Sequence, residues 1–189
     1  NGDGSEASAH YIAGLQESIF GSIETFMGQQ AVSYHLSLKE PFTIKLADEI
    51  DELPPSRPHT NNLAEIAWWS LKTRYWAWRV NNFKGPANDI QLFVLYFDPD
   101  THEALDHSIG LQKGMIGVVN AFATRRMAPT NNVIIAHELL HTLGATDKYD
   151  AATNQPRLPD GYAFPDQRPL YPQAMAELMG GRVPLSKTK

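Results

Sequence analysis

The 189-residue chain contains no cysteine, which excludes disulfide cross-links and thiolate metal ligands. It has no apolar run approaching the roughly eighteen residues needed to span a bilayer. Positive charge is not in excess either: 16 lysines and arginines stand against 21 aspartates and glutamates, a net charge of −5. The electrostatic footprint of a nucleic-acid binder is therefore missing. What remains is a globular composition, 42% hydrophobic and 20% charged, long enough for one domain with a sizeable core.

Against that plain background one run stands out, His137-Glu138-Leu139-Leu140-His141-Thr142-Leu143-Gly144-Ala145-Thr146-Asp147. On a helix, residues four apart share a face one turn apart, so His137 and His141 can aim imidazole nitrogens at a single ion. Beside the first ligand, Glu138 is placed for a carboxylate to take a proton from water without binding the metal. The flank Asn131-Asn132-Val133-Ile134-Ile135-Ala136 gives the helix a cap at Thr130 or Asn131 and apolar residues on both sides of the polar stripe. A helix apolar over most of its circumference is a buried one, and burying His137, Glu138 and His141 is costly unless a metal or hydrogen bonds compensate. Gly144 follows the last apolar position, where a left-handed residue turns the chain back and brings Asp147 towards the ion. Hydrolytic zinc takes three protein ligands and keeps a fourth position for water, a set that His137, His141 and Asp147 complete.

These residues resemble the metzincin-type zinc metallopeptidases in their HExxHxxGxxD form, as in the snapalysin-like branch. The continuation Asp147-Lys148-Tyr149-Asp150 is similar to the DxYD run of immune-inhibitor-A-like metallopeptidases. The resemblance implies one catalytic zinc ion on His137, His141 and Asp147, Glu138 as general base, a protein or peptide substrate, and an exported or membrane-anchored protein. It also implies a methionine turn below the metal, for which Met179 in Ala176-Glu177-Leu178-Met179-Gly180-Gly181 is the match. Some metzincins carry a tyrosine two residues after that methionine; Gly181 stands there, leaving Tyr149, Tyr162 and Tyr171 as candidate hydrogen-bond donors to the transition state, Tyr149 foremost. In a gluzincin-type arrangement Glu177, on a short later helix, would replace Asp147 as ligand, but Gly144 and Asp147 would then have no role. Two other functions fit the same letters: a catalytically idle zinc-bound assembly domain, and a zinc amidase acting on cell-wall peptides.

Along the chain, residues 1–8 are small and polar and read as disordered. Apolar residues at helical spacing predict a helix over residues 9–26, and alternation predicts strands over 31–38 and 42–46. A proline-rich breaker covers 52–58, and a helix over 61–80 follows, with Leu63, Ile66, Ala67, Leu71, Tyr75 and Trp78 on one side and burial on more than one face. Residues 90–97 and 115–122 read as strands. The second is either an interior strand or an edge strand that pairs with substrate along the cleft. Asp98, Asp100 and Glu103 read as a solvated acidic turn, and His10, His35, His59, His102 and His107 as surface or satisfied histidines. The fold class is α+β (α/β), a metzincin-like layout within a single domain. A mixed twisted sheet with packing helices and an active-site helix occupies 9–144, and a coil-rich C-terminal lobe with the methionine turn occupies 145–189.

Overall fold

The aromatic and β-branched run after Ile90 forms strand β1, Gln91–Phe97, and the second such run forms β3, Ile116–Phe122. The computed structural model describes residues 2–58, 60 and 62–187. They fall into two compact units, one ending at Thr142 and the other beginning at Leu143. The first is an α+β unit. Its sheet has the order β1-β3-β2, with β1 parallel to β3 and the short β2, Ile109–Leu111, antiparallel to β3. The strand over 115–122 is therefore interior, and β2 is an edge of the described sheet.

Successive strand residues face opposite sides, so Phe93 and Tyr96 of β1 look onto different layers. Tyr96 meets Tyr11 of α1 (Glu6–Ala13) at a ring separation of 5.0 Å, in a cluster with Ala121 and Ala123. Phe93 meets Trp76 of α3 (Leu63–Val80) at 4.5 Å, with Ala77 and Ile116 beside it. Helices thus cover both faces of the sheet.

Four sequence expectations are corrected. Residues 2–5 are ordered: Gly2 bridges to Tyr96, the Asp3 amide donates to the Tyr96 carbonyl at 3.0 Å, and Ser5 caps α1 by accepting from the Ser8 amide at 3.1 Å. The helix predicted over 9–26 is broken, because α1 ends against Gly14 and a new helix, α2 (Gly21–Ser33), starts after a 3-10 turn, Glu17–Phe20. Neither strand over 31–38 and 42–46 forms. Residues 31–33 complete α2, and helix carboxylates take the place of a strand neighbour: the Ile44 amide donates to Glu24 at 2.6 Å and the Leu46 amide to Glu17 at 3.3 Å. Finally, α3 buries one face only, through Trp69, Thr73, Trp76 and Ala77. Leu63, Leu71, Tyr75 and Trp78, read as a core side, are exposed. Apolar residues stand on more than one side of α3, and the side that is covered is the one where Trp76 and Ala77 pack with Phe93 and Ile116. Asn61, the expected start of this helix, and His59 lie outside the described residues. Asn62 caps α3, accepting from the Ala64 amide at 2.9 Å. Among the described residues no helix is long and apolar enough to cross a membrane.

The Asp3 side chain, 9% exposed, is the anchor of the N-terminal hook. Burial pushes its pKa up, but the Asp98 amide and the hydroxyls and amide of Ser5 and Ser8 outweigh this and hold it well below the usual carboxylate range. A depressed pKa stabilises the fold above the unfolded value of about 3.9, and that contribution is lost as the pH falls towards the folded value. Asp3→Asn, which presents an amide to donors, should cost about 1–3 kcal/mol in urea unfolding near neutrality. The gap between wild type and variant should be flat above about pH 5 and shrink below about pH 4.

Candidate metal centre

The motif lies on α4, Ala128–Thr142, which follows a 3-10 turn, Arg125–Met127. The helix starts earlier than a cap at Thr130 or Asn131 would place it. Pro129 sits in its first turn, where a missing N–H is tolerated. Asn131 and Asn132 are thereby inside the helix, and both are buried. The Asn131 amide accepts from the Phe122 N–H at 3.1 Å and donates to the Phe122 carbonyl at 2.9 Å, extending the end of β3 by one side chain. Asn132 donates to the Ile19 carbonyl at 2.7 Å and to the Ser22 hydroxyl at 2.9 Å. Two adjacent amides thus fix the start of α4 to the sheet and to the helix pair beneath it.

One to two turns on, the helix brings His137, Glu138 and His141 together, with a ligand atom of each within 4.8 Å of the others. The Nε2 atoms of His137 and His141 lie 3.0 Å apart, their rings nearly perpendicular at 85°. Two nitrogens on one tetrahedral ion at about 2.05 Å would be separated by about 3.3 Å, so a small adjustment admits a metal. Both imidazoles are half-buried while Glu138 is only 6% exposed. The donor set, two imidazoles beside a carboxylate, is one that divalent transition metals accept. The group can hold a metal ion.

Strand β2 closes in on this turn. A Cβ on Gly110 would stand 2.5 Å from the His141 Cβ, 2.7 Å from the Glu138 carbonyl oxygen and 3.3 Å from the Glu138 carboxylate. Only glycine lets the edge strand approach so near. An isolated glycine between Ile109 and Leu111 is the sequence signal for such an approach.

Asp147 and Tyr149 belong to the second unit and are described within it. Gly144 has the left-handed φ of 97° foreseen for it. Asp147 is exposed and Tyr149 half-buried. The Lys148 amide between them donates to the Met179 carbonyl at 2.8 Å. Met179 is 4% exposed and lies in a 3-10 turn, Leu178–Gly180, that ends at Gly181 with φ 76°. A Cβ on Gly181 would stand 3.0 Å from the Tyr149 ring, so Tyr149 packs against this position. Glu177 precedes that turn and is not on the helix that a gluzincin-type ligand requires. Tyr162 and Tyr171 join hydroxyls at 2.8 Å. Burial first, and the Tyr171 hydroxyl second, push the Tyr162 pKa up to about 12. Of the remaining histidines, His10, His35 and His107 are exposed, and His102 lies 3.3 Å from the Asp98 carbonyl. The Asp98–Asp100 stretch is a turn closed by the Asp100 amide on the Asp98 carboxylate at 2.9 Å.

Comparison with protein-family models, with curated proteins and with solved structures returns no match.

Gly110→Ala should force β2 and α4 apart at the turn that carries Glu138 and His141. It is expected to cost about 1–3 kcal/mol of stability as an overpacked contact, measured by thermal unfolding. Metal affinity, measured by calorimetric titration, should fall with it. An unchanged affinity would separate the strand from the site.

Proposed function

We propose that the chain is a zinc-dependent metalloendopeptidase of metzincin type, with one zinc ion on His137, His141 and Asp147. The observation that carries this reading is the meeting of the His137 and His141 Nε2 atoms at 3.0 Å beside a buried Glu138. These residues would hold the zinc ion, which when bound would supply the Lewis acidity that acidifies water and polarises a carbonyl. Glu138 is the general base: it accepts a proton from the attacking water and returns it to the leaving amine. Its burial in a helix anchored at Asn131 and Asn132 keeps the carboxylate oriented before substrate arrives. Tyr149, packed over Gly181, donates its hydroxyl to the developing oxyanion.

The layout supports the reading. An antiparallel edge strand packs against the helix carrying the motif, and a coil-rich second unit carries the buried Met179 turn. In this scheme β2, rather than the strand over 115–122, takes the extended substrate backbone, and pairing through main-chain groups tolerates many sequences.

Glu138→Gln should keep its zinc, by elemental analysis, while hydrolysis of a peptide library falls about 10²- to 10⁴-fold. Full activity in that variant would remove Glu138 as the base. The wild-type digest should stop on chelation and return with added zinc.

Asp147→Ala should lower zinc occupancy, and with it the rise in melting temperature on adding zinc, worth about 2.7 kcal/mol at a hundredfold excess over Kd. If occupancy is undiminished, Asp147 is not the third ligand, and Glu177→Ala becomes the decisive variant.

A further inference from the structure

At the C-terminal end of β1 lies a cavity of about 410 Å³, within the range of small-ligand sites, roughly 300–1,000 Å³. Its walls are apolar: Leu95 and Phe97 of β1, with Leu53 and Pro54 from the coil before α3. Leu95 and Phe97 share a strand face with Phe93, which meets Trp76 of α3. The motif helix is on the other side. Leu92, Gly117 and Gly110 are in register across the sheet, and a Cβ on Gly110 would meet His141 and Glu138 of α4. The cavity and the two imidazoles therefore lie on opposite faces of one sheet.

Asp3 and His102 are the polar side chains of the lining. The Asp3 side chain is 9% exposed, and neutral donors hold it: the Ser5 amide at 2.9 Å and hydroxyl at 2.5 Å on Oδ1, and the Asp98 amide at 2.9 Å on Oδ2. Such dipoles keep the carboxylate ionised, its pKa well below the usual range, without cancelling its charge. Among the described residues no lysine or arginine pairs with it. His102 Nδ1 stands 3.6 Å from Oδ2, beyond hydrogen-bond reach, and is nearer the Asp98 carbonyl at 3.3 Å. A negative charge thus sits among apolar walls, where it is screened less than in bulk water. That combination sorts ligands by charge. An anion is repelled, and a hydrocarbon gains the walls but brings the carboxylate no partner. A divalent ion such as calcium takes about six or more oxygen ligands, where the lining offers one carboxylate. An organic ammonium uses every part: its body lies against Leu53 and Leu95, its cation pairs with Asp3, and the Phe97 ring is a surface that such cations favour. We propose that this cavity is a binding site for a small amphiphilic amine, a protonated primary amine on an apolar body the size of phenethylamine, paired with Asp3.

Calorimetric titration of the full chain with phenethylamine, 2-phenylethanol and phenylacetate isolates the charge. The amine should bind at least about tenfold tighter than the alcohol, as a charge-assisted pair does, and phenylacetate most weakly. Leu53 is 58% exposed, so Leu53→Trp should narrow the cavity and weaken amine binding at least about tenfold by overpacking, with the melting temperature in place. Asp3→Asn, once circular dichroism shows it folded, should bind amine and alcohol alike; if it does not fold, Leu53→Trp decides. Chelation should leave amine binding unchanged. The proposal is overturned if the amine fails to bind or binds no tighter than the alcohol. It is overturned equally if Leu53→Trp binds the amine as wild type does, or if folded Asp3→Asn keeps the preference. Loss of binding on chelation would overturn it too, placing the amine at the imidazoles.

Discussion

The chemistry of the first unit depends on α4 holding a buried carboxylate against a sheet while two imidazoles beside it stay half-exposed. Taking Glu138 out of water is unfavourable, so the helix cannot be left free to rotate and re-expose it. Three contacts remove that freedom. Asn131 locks the first turns to the end of β3 through both main-chain groups of Phe122, Asn132 ties them to Ile19 and Ser22, and Gly110 lets β2 lie against the turn that carries Glu138 and His141. Each uses a small or short polar residue where a larger apolar one would fill space but fix nothing. That is the price of aiming polar groups inside a packed layer.

What the sequence made legible was local. The apolar runs that became β1 and β3, the i and i+4 histidines and the left-handed Gly144 are each set by neighbours within one element. What it concealed was set at a distance. The N-terminal hook exists because the Asp98 amide, 95 residues along the chain, donates to Asp3. The stretch around Ile44 alternates like a strand, yet its amides are satisfied by helix carboxylates. β2 has three residues, too few for any period to register. On α3 the fault lay in reading apolar side chains as core, when the helix carries more apolar surface than its single buried face can use.

The second unit has no helix beyond one 3-10 turn among its described residues, and polar staples hold its shape. Buried Gln173 accepts from the Phe164 amide at 2.9 Å and donates to the Phe164 and Leu170 carbonyls, so one side chain closes two loops. The Asp150 carboxylate gathers the Ala152 and Thr153 amides and the Thr153 hydroxyl, which hold its pKa low and fix the turn after Tyr149. Gly181 has a steric explanation: with φ at 76° and the Tyr149 ring 3.0 Å from where a Cβ would stand, a side chain there would be strained and would push the ring aside.

Helical spacing alone does not bring two imidazoles nose to nose. Histidines at i and i+4 on an open surface gain more by turning their nitrogens to water than by facing each other, since a neutral pair shares one proton between two basic sites. His137 and His141 nevertheless meet at 3.0 Å, both half-buried, with Glu138 buried on the same turn. A single N–H between two such nitrogens uses one lone pair, whereas a divalent ion uses both and adds positive charge beside a carboxylate that lacks bulk water. The turn can therefore hold a cation between the two nitrogens, and Gly110, which has no Cβ to meet His141 and Glu138, is what lets β2 lie against the same turn.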